Sequence, residues 1–524
     1  MFGMEETEGQ EMAVYVFSLL VGYYPNGVDY AQGYRAGIIR KLLGPVRYVF
    51  AELPGRKEIL YYKKLGIREE EMLSTHHYFL DHPDLKLTVK IKKKRKELEK
   101  NLEITDVDEQ ESEIRLLKDG MIVASLVRDL EDREYLSAIH YFHQCRLIRT
   151  EVYTDQTAYA DYYATAKSEH GLYAKRTRRI YYHRDGSAAY EQIFEGDRSW
   201  YLMPDGKIFT KSEFFERFIQ TLRLSWEDTI LIDRFAQFDY VQPLFRWKRK
   251  ARTIAVMHAG HYFENGESAY TVNFNPDYNY FFKYSGLFDA VVVSTQQQKE
   301  ELKEKLLEHC CEVPDIRVIP AGGADRLRHP RDGRKPYSIL SVSRIQAHKK
   351  IDWIIKSVVK AHKMNEQITL DIYGSGNPDY EKFLQHMVET FHAQSYIRFM
   401  GHRDVTEVYR NYEVFITAST FETLGLSILE AVCSGTAVIG LDAKYGSHLF
   451  IHPEENGYLI DFKPGKDDED AKRAIDNMAE KIVEIFTNPV RLSMFHKHSY
   501  AIAGNFSVQA VEEKWQELLT VWEG

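Results

Sequence analysis

The 524 residues carry 69 Lys and Arg against 78 Asp and Glu, a formal net charge of -9, so the chain lacks the positive field by which a general nucleic-acid binder gains affinity through counterion release. Apolar residues at 44% and charged residues at 28% exclude a disordered chain and suffice for cores, and the length predicts two packed domains with an inserted third. Cys145, Cys310, Cys311 and Cys433 lack the spacing of a zinc site or a disulfide framework, which points to a reducing, cytoplasmic compartment.

The apolar run from Ala13 to Tyr24 is too short to span a bilayer and follows acidic rather than basic residues, so it reads as a buried strand, Ala13 to Gly22. A turn, Tyr23-Tyr24-Pro25-Asn26-Gly27, leads into Ala31, Ile38, Ile39 and Leu42 at helical spacing, and Val46 to Phe50 supplies the next parallel strand. That is the opening of a doubly wound sheet. From about Arg56 to Leu224 the pattern changes to short alternating strands separated by Asp119-Gly120, Asp185-Gly186 and Asp205-Gly206, the dipeptides of tight hairpins, so an antiparallel sheet is inserted. It ends at Thr210-Lys211-Ser212-Glu213, a capping box that opens a helix through Phe214, Phe215, Phe218 and Leu222.

Strand and helix alternation then resumes at Thr229 to Ile232, Thr253 to Met257, Ala290 to Ser294 and Ile316 to Ile319. A linker, Gly322 to Lys335, precedes a second series at Ser338 to Val342, Ile368 to Tyr373, Ile397 to Met400, Val414 to Thr417 and Val438 to Leu441. The fold class expected is α/β, two Rossmann-like domains facing a cleft, with an antiparallel insert. The expected limits are 1–55 with 225–325 for the first domain, 56–224 for the insert and 326–505 for the second domain, with a helix in 506–524 packing back on the first.

Two segments carry the chemistry. Phe421-Glu422-Thr423-Leu424-Gly425-Leu426-Ser427-Ile428-Leu429-Glu430-Ala431 follows a strand and enters a helix. Backbone N–H groups near Leu424 and Gly425 then point at an anionic ligand, helped by the helix dipole. Glu422 is placed to accept hydrogen bonds from sugar hydroxyls. Glu430 lies among Ile428, Leu429, Ala431 and Val432, where a carboxylate is costly unless a ligand such as a ribose satisfies it. In Ser341-Val342-Ser343-Arg344-Ile345-Gln346-Ala347-His348-Lys349, Arg344 and Lys349 are the cations to neutralise charge developing on a departing diphosphate, where a metal otherwise would. Gly374-Ser375-Gly376 reads as a close-approach loop, and His258 ends a strand on the cleft side. Asp106-Val107-Asp108 lies in a charged, turn-rich stretch and is discounted as a metal site.

Arg344 and Lys349 followed by the Glu422 and Glu430 pair resemble retaining glycosyltransferases of family 4, a GT-B fold. The opening Gly27 to Ala36, the insert, and Val256-Met257-His258-Ala259-Gly260-His261-Tyr262 narrow the resemblance to the GtfA-type transferases of the accessory Sec system, catalytic subunits of the O-GlcNAc transferase for serine-rich repeat adhesins. The resemblance implies that Gly27, Val28, Asp29 and Tyr30 approach the nucleotide and that His258 contacts the donor sugar. It further implies that Gly401 and His402 meet the uridine, that Glu422, Thr423, Leu424 and Gly425 meet sugar and phosphate, and that Glu430 meets the ribose. Glu422-Thr423-Leu424-Gly425 stands where the family pattern is Glu-Gly-Phe-Gly, and Gly260 replaces an acidic residue. UDP-GlcNAc and UDP-glucose both fit as donor.

No metal or other cofactor is expected. The expected partners are a GtfB-like noncatalytic subunit and a serine-rich polypeptide, both on the insert. Lys90 to Lys96 reads as a solvated basic face, and Arg246 to Arg252, with Phe245 and Trp247, as a contact for an anionic membrane. Transfer to wall teichoic acid and a noncatalytic acceptor-binding role are the competing readings; Arg344, Lys349, Glu422 and Glu430 speak against the second.

Overall fold

A computed structural model describes residues 13–18, 27–44, 46–169, 171–234, 242–246, 251–268, 271–309, 311–462 and 468–520. The turn expected at 23–26 and the basic residues 247–250 lie outside them, as does Cys310. The chain divides into two compact units, Met1–Ile254 and Ala255–Gly524.

In the first unit, the strands Thr229–Ile232, Val14–Ser18, Val46–Phe50 and Met72–Ser74 lie side by side in that order and run parallel. Their near-continuous apolar sequences suit strands covered on both faces. The helix Gly27–Leu43 buries Ala31, Ala36, Ile38 and Ile39, the stripe that a 3.6-residue period lays on one side. It also buries a polar set: Arg35 forms a two-pronged pair with Asp233, and Gln32 donates to the same carboxylate at 3.0 Å. Neither charge is left unmatched, as burial requires.

The antiparallel sheet has ten strands, each paired with its sequence neighbour from Asp106–Glu109 to Ile208–Thr210. At the turn between Lys118 and Met121, Asp119 and Gly120 both take positive φ, 52° and 76°, the backbone of the tight hairpin class that this dipeptide favours. The capping box closes as expected: Thr210 Oγ1 accepts from the Glu213 N–H and Glu213 Oε2 accepts from the Thr210 N–H. The expected start of the insert at Arg56 is corrected. Arg56–Lys64 is a helix, and Met72–Ser74 pairs with Val46–Phe50 in the parallel sheet, so the antiparallel strands begin only at Asp106. Three residues are too few for a period to separate the two sheet types. The basic run lies in the helix Ile91–Asn101, where Arg95 pairs with Glu99 and Glu109, and Lys94 with Glu97.

In the second unit, six parallel strands are ordered Ile397–Gly401, Thr369–Tyr373, Lys335–Val342, Tyr412–Thr417, Ala437–Leu441, Gly457–Ile460. The core beneath them runs from Ile339, Ile354 and Val358 to Ile439, Met478 and Ile482. The strands Ala290–Val293 and Asp315–Val318 pair with one another in parallel. The terminal helix Val508–Thr520 reaches the latter, Glu517 accepting from Arg317 at 2.8 Å. Among the described residues, no helix is long and apolar enough to cross a membrane.

Candidate active site

A parallel sheet gathers the loops that leave its strands at their carboxyl ends, and in the second unit four neighbouring strands bring the predicted segments together this way. The loop after Lys335–Val342 carries Arg344 and Lys349, and the loop after Thr369–Tyr373 carries Gly374 to Gly376. The two are laced: Ile345 N–H donates to Ser375 O at 3.0 Å and Asn377 N–H to Ile345 O at 2.9 Å. The lacing explains the glycine. Gly374 has φ of 136°, and a Cβ there would lie 1.9 Å from the Ser343 carbonyl oxygen. Its N–H donates to Gly401 O at 3.0 Å, which joins the next loop, where Gly401 and His402 are exposed.

The loop after Tyr412–Thr417 carries the glutamates. Lys349 Nζ lies 2.6 Å from Glu422 Oε1 and 3.1 Å from Ser419 Oγ, and the two charged side chains are only 13% and 15% exposed. Two groups 73 positions apart in sequence thus form one half-buried cation and anion pair. Arg344 is exposed, and burial, reinforced by the charges of Lys349 and Arg344, lowers the pKa of His348.

Thr423 and Leu424 are buried, Leu424 within the core, so it is their backbone rather than their side chains that the loop presents. Gly425, φ 82°, is the N-cap of the helix Leu426–Cys433 and offers no capping side chain; uncapped helix ends of this kind can bind anions through backbone N–H groups. Glu430 sits one turn into this helix, half-buried. Burial raises its pKa, against the opposing pull of the Tyr409 hydroxyl and Arg328.

His258 follows the strand Arg252–Val256 and is half-buried. Its loop is pinned: the Tyr278 hydroxyl accepts from the N–H of His258 and of Ala259 at 3.0 and 2.8 Å, and Asn275 and Gln298 donate to the Gly260 and Ala259 carbonyls. In the first unit, Gly27 to Tyr30 form the first turn of the helix Gly27–Leu43, with Gly27 and Tyr30 exposed and Val28 half-buried. The Asp29 side chain is fully buried and its carboxylate pairs with Arg234 at 2.5 Å, which holds the turn.

Sequence reasoning passed over Ser419, which orients Lys349, and the group Tyr262, Glu301, Lys444 and Tyr445 behind Glu422. No local pattern marks them, because the residues come from three distant segments. Among the described residues, no group of three or more His, Cys, Asp or Glu lies together as metal ligands would.

Residues 326–482, which hold this sheet and the lysine and glutamate pair at its carboxyl edge, match the family Glycosyl transferases group 1. Residues 105–205 match the GtfA extended beta-sheet domain. The chain is 32% identical over 510 residues to the UDP-N-acetylglucosamine–peptide N-acetylglucosaminyltransferase GtfA subunit of Streptococcus gordonii, covering 97% of this chain and 98% of that one. It superposes on the pneumococcal O-GlcNAc transferase GtfA, solved in complex with UDP and GlcNAc, with a TM-score of 0.87 at 29% identity, covering 98% and 99% of the two chains. For a GtfA/B complex the TM-score is 0.84 at 32% identity, covering 97% and 99%. The chain belongs to the GtfA family of glycosyltransferases.

Proposed function

We propose that this chain transfers N-acetylglucosamine from UDP-N-acetylglucosamine to serine and threonine hydroxyls of a serine-rich polypeptide, with retention at the anomeric carbon, in company with a GtfB-like noncatalytic subunit. The observation that carries the reading is the Lys349 and Glu422 pair, set between the Gly374 loop and the N-terminus of the helix Leu426–Cys433 in a chain similar to GtfA over nearly its whole length.

In this reading the diphosphate lies against Lys349, Arg344 and the helix end, which supply fixed positive charge where negative charge grows as the sugar bond breaks. Glu422 and His258 hold the sugar hydroxyls, and Glu430 with Gly401 and His402 meets the nucleoside. The acceptor hydroxyl attacks the anomeric carbon from the face the diphosphate leaves, and the departing phosphate oxygen takes the hydroxyl proton. Organic cations fill the place of a metal, so turnover is expected to stay within about twofold after chelation with EDTA, since the stabilising charges are covalently part of the chain. The ten-stranded sheet is assigned to partner and acceptor, its strands suiting pairing with an extended peptide. A cytoplasmic location is part of the proposal, with peripheral contact to anionic lipid through Arg246 to Arg252, tested by liposome flotation at varied anionic lipid content.

Mass spectrometry of a serine-rich peptide incubated with the chain, its candidate partner and either UDP-N-acetylglucosamine or UDP-glucose tests the reading. A gain of one or more N-acetylhexosamine masses is expected with the first donor. An unmodified peptide, beside a polyol phosphate acceptor that gains sugar, would refute the polypeptide assignment.

A further inference from the structure

Glu422 is held by its main chain as well as by Lys349. Its N–H donates to the Lys444 carbonyl at 2.9 Å, and its own carbonyl accepts from the N–H groups of Tyr445 and Gly446 at 2.6 and 2.7 Å. The fit is close: a Cβ on Gly446 would lie 1.9 Å from the Leu424 carbonyl oxygen. Wherever the turn 444–446 sits, the Glu422 backbone sits with it.

That turn is in turn fixed by one carboxylate. Glu301, on the helix Gln296–Glu308, accepts from Lys444 Nζ at 3.0 Å and Gln297 Nε2 at 3.2 Å through Oε1. Through Oε2 it accepts from the Tyr445 hydroxyl at 2.8 Å and the Tyr262 hydroxyl at 3.2 Å. Four donors use the acceptor capacity of an ionised carboxylate, and Lys444 closes the knot by donating to the Tyr262 hydroxyl at 3.1 Å. Burial opposes the charge, yet the bonds from Tyr445, Lys444 and Gln297 outweigh it and hold the Glu301 carboxyl below its usual range. Ring packing fixes the remaining direction. Tyr445 meets Phe421 edge to face at 5.5 Å and lies parallel to the buried His261 ring. Phe421 fills the space over Gly260, where a Cβ would come within 2.6 Å of its ring.

We propose that Glu301 is a positioning residue for Glu422: through Lys444 and Tyr445 it sets where the Glu422 loop presents its carboxylate beside Lys349. This rests on the glycosyltransferase reading above. The knot holds the Glu422 loop, whose Leu424 and Gly425 backbone also faces the diphosphate in that reading, and not the Gly374 or Gly401 loops, so its loss acts on turnover more than on UDP affinity.

The test uses the full chain with its candidate partner and the variants Glu301→Ala, Glu301→Gln and Tyr445→Phe. UDP affinity is read by calorimetry, kcat and KM by UDP release from UDP-N-acetylglucosamine, and folding by thermal melt. Glu301→Ala is expected to lower kcat about tenfold or more, as misplacement of a reacting group by a fraction of an ångström does. The UDP dissociation constant is expected to stay within about threefold, with Glu301→Gln in between because its carbonyl oxygen still accepts from one pair of donors. Combined with Glu422→Gln, Glu301→Ala is expected to add less than its single effect, since both act through one group. Hydrogen exchange across 419–425 is expected to speed up in Glu301→Ala, a readout independent of turnover. An unchanged exchange rate, a kcat effect that multiplies with Glu422→Gln, or a UDP affinity that falls as far as kcat overturns the proposal. A wild-type chain that releases no UDP sinks the transferase reading instead, and the exchange measurement still decides the role of Glu301.

Discussion

The Lys349 ammonium has two neighbours that fix its direction, Ser419 Oγ and Glu422 Oε1, and it is this restraint rather than charge alone that makes it useful. A cation already oriented, in a half-buried place, stabilises a departing diphosphate without reorganising at the moment of reaction. Removing either member leaves the other half-buried and unmatched, which is costly in itself. Lys349→Ala and Glu422→Ala are therefore each expected to lower turnover by about 10²-fold or more. Lys349→Arg is expected to recover only part, since a planar fork does not reproduce a point charge between a hydroxyl and a carboxylate. Steady-state UDP release with each variant checks this, and near-normal rates in both alanine variants would refute the roles assigned. Asp29 is a carboxylate buried in a pair with Arg234, which no local pattern in the sequence discloses.

At the scale of elements, the helix Gly27–Leu43 carries two glycines whose replacement by alanine should have opposite signs. Gly37 is exposed, and a Cβ there meets nothing within 4 Å, so alanine removes the entropic penalty of glycine in a helix interior. Gly37→Ala is expected to stabilise by about 0.5–1 kcal/mol. Gly33 is different: its Cβ would lie 2.6 Å from the Leu65 carbonyl oxygen, so Gly33→Ala must push apart two packed segments and is expected to destabilise by about 1–3 kcal/mol. Urea midpoints of the two variants decide it, and equal signs would mean the helix does not pack against Leu65 as described. The same contrast explains what could be read from sequence. The hairpin at Asp119-Gly120, the capping box at Thr210 and Glu213, and the strand Val46–Phe50 are local and were legible. The pairing of Met72–Ser74 and the knot around Glu301 depend on segments brought together from afar, and neither a period nor a turn signal encodes them.

At the scale of the whole molecule, histidines buried in neutral form make stability depend on pH. Burial, reinforced by His82 and Arg179, lowers His77 to about 3. Burial, with Lys444 adding to it against Glu301, lowers His261 to about 4, and burial with Arg334 lowers His496 to about 4. His76, packed between Tyr181, Tyr201 and Phe214, is likewise held well below its ordinary value by burial. In the unfolded chain all four titrate near about 6.5. As pH falls below that value the unfolded state binds protons that the folded state refuses, so stability is fully present above it and drains away on the way down to the folded values. Each such group contributes a slope of up to about 1.4 kcal/mol per pH unit. Glu413 and Glu430, whose carboxyls burial raises, act in the opposite sense within the same window, but they are two against six, since burial also lowers His140 and His348. The urea midpoint is therefore expected to be flat from pH 8 to about 7 and to drop steeply between about 6 and 4.5. His77→Leu, which removes one titrating group while keeping the site apolar, should make that drop shallower whatever it does to the midpoint at neutral pH. A midpoint that stays constant to pH 5, or an unchanged slope in His77→Leu, would show that these rings are not held neutral in the folded protein.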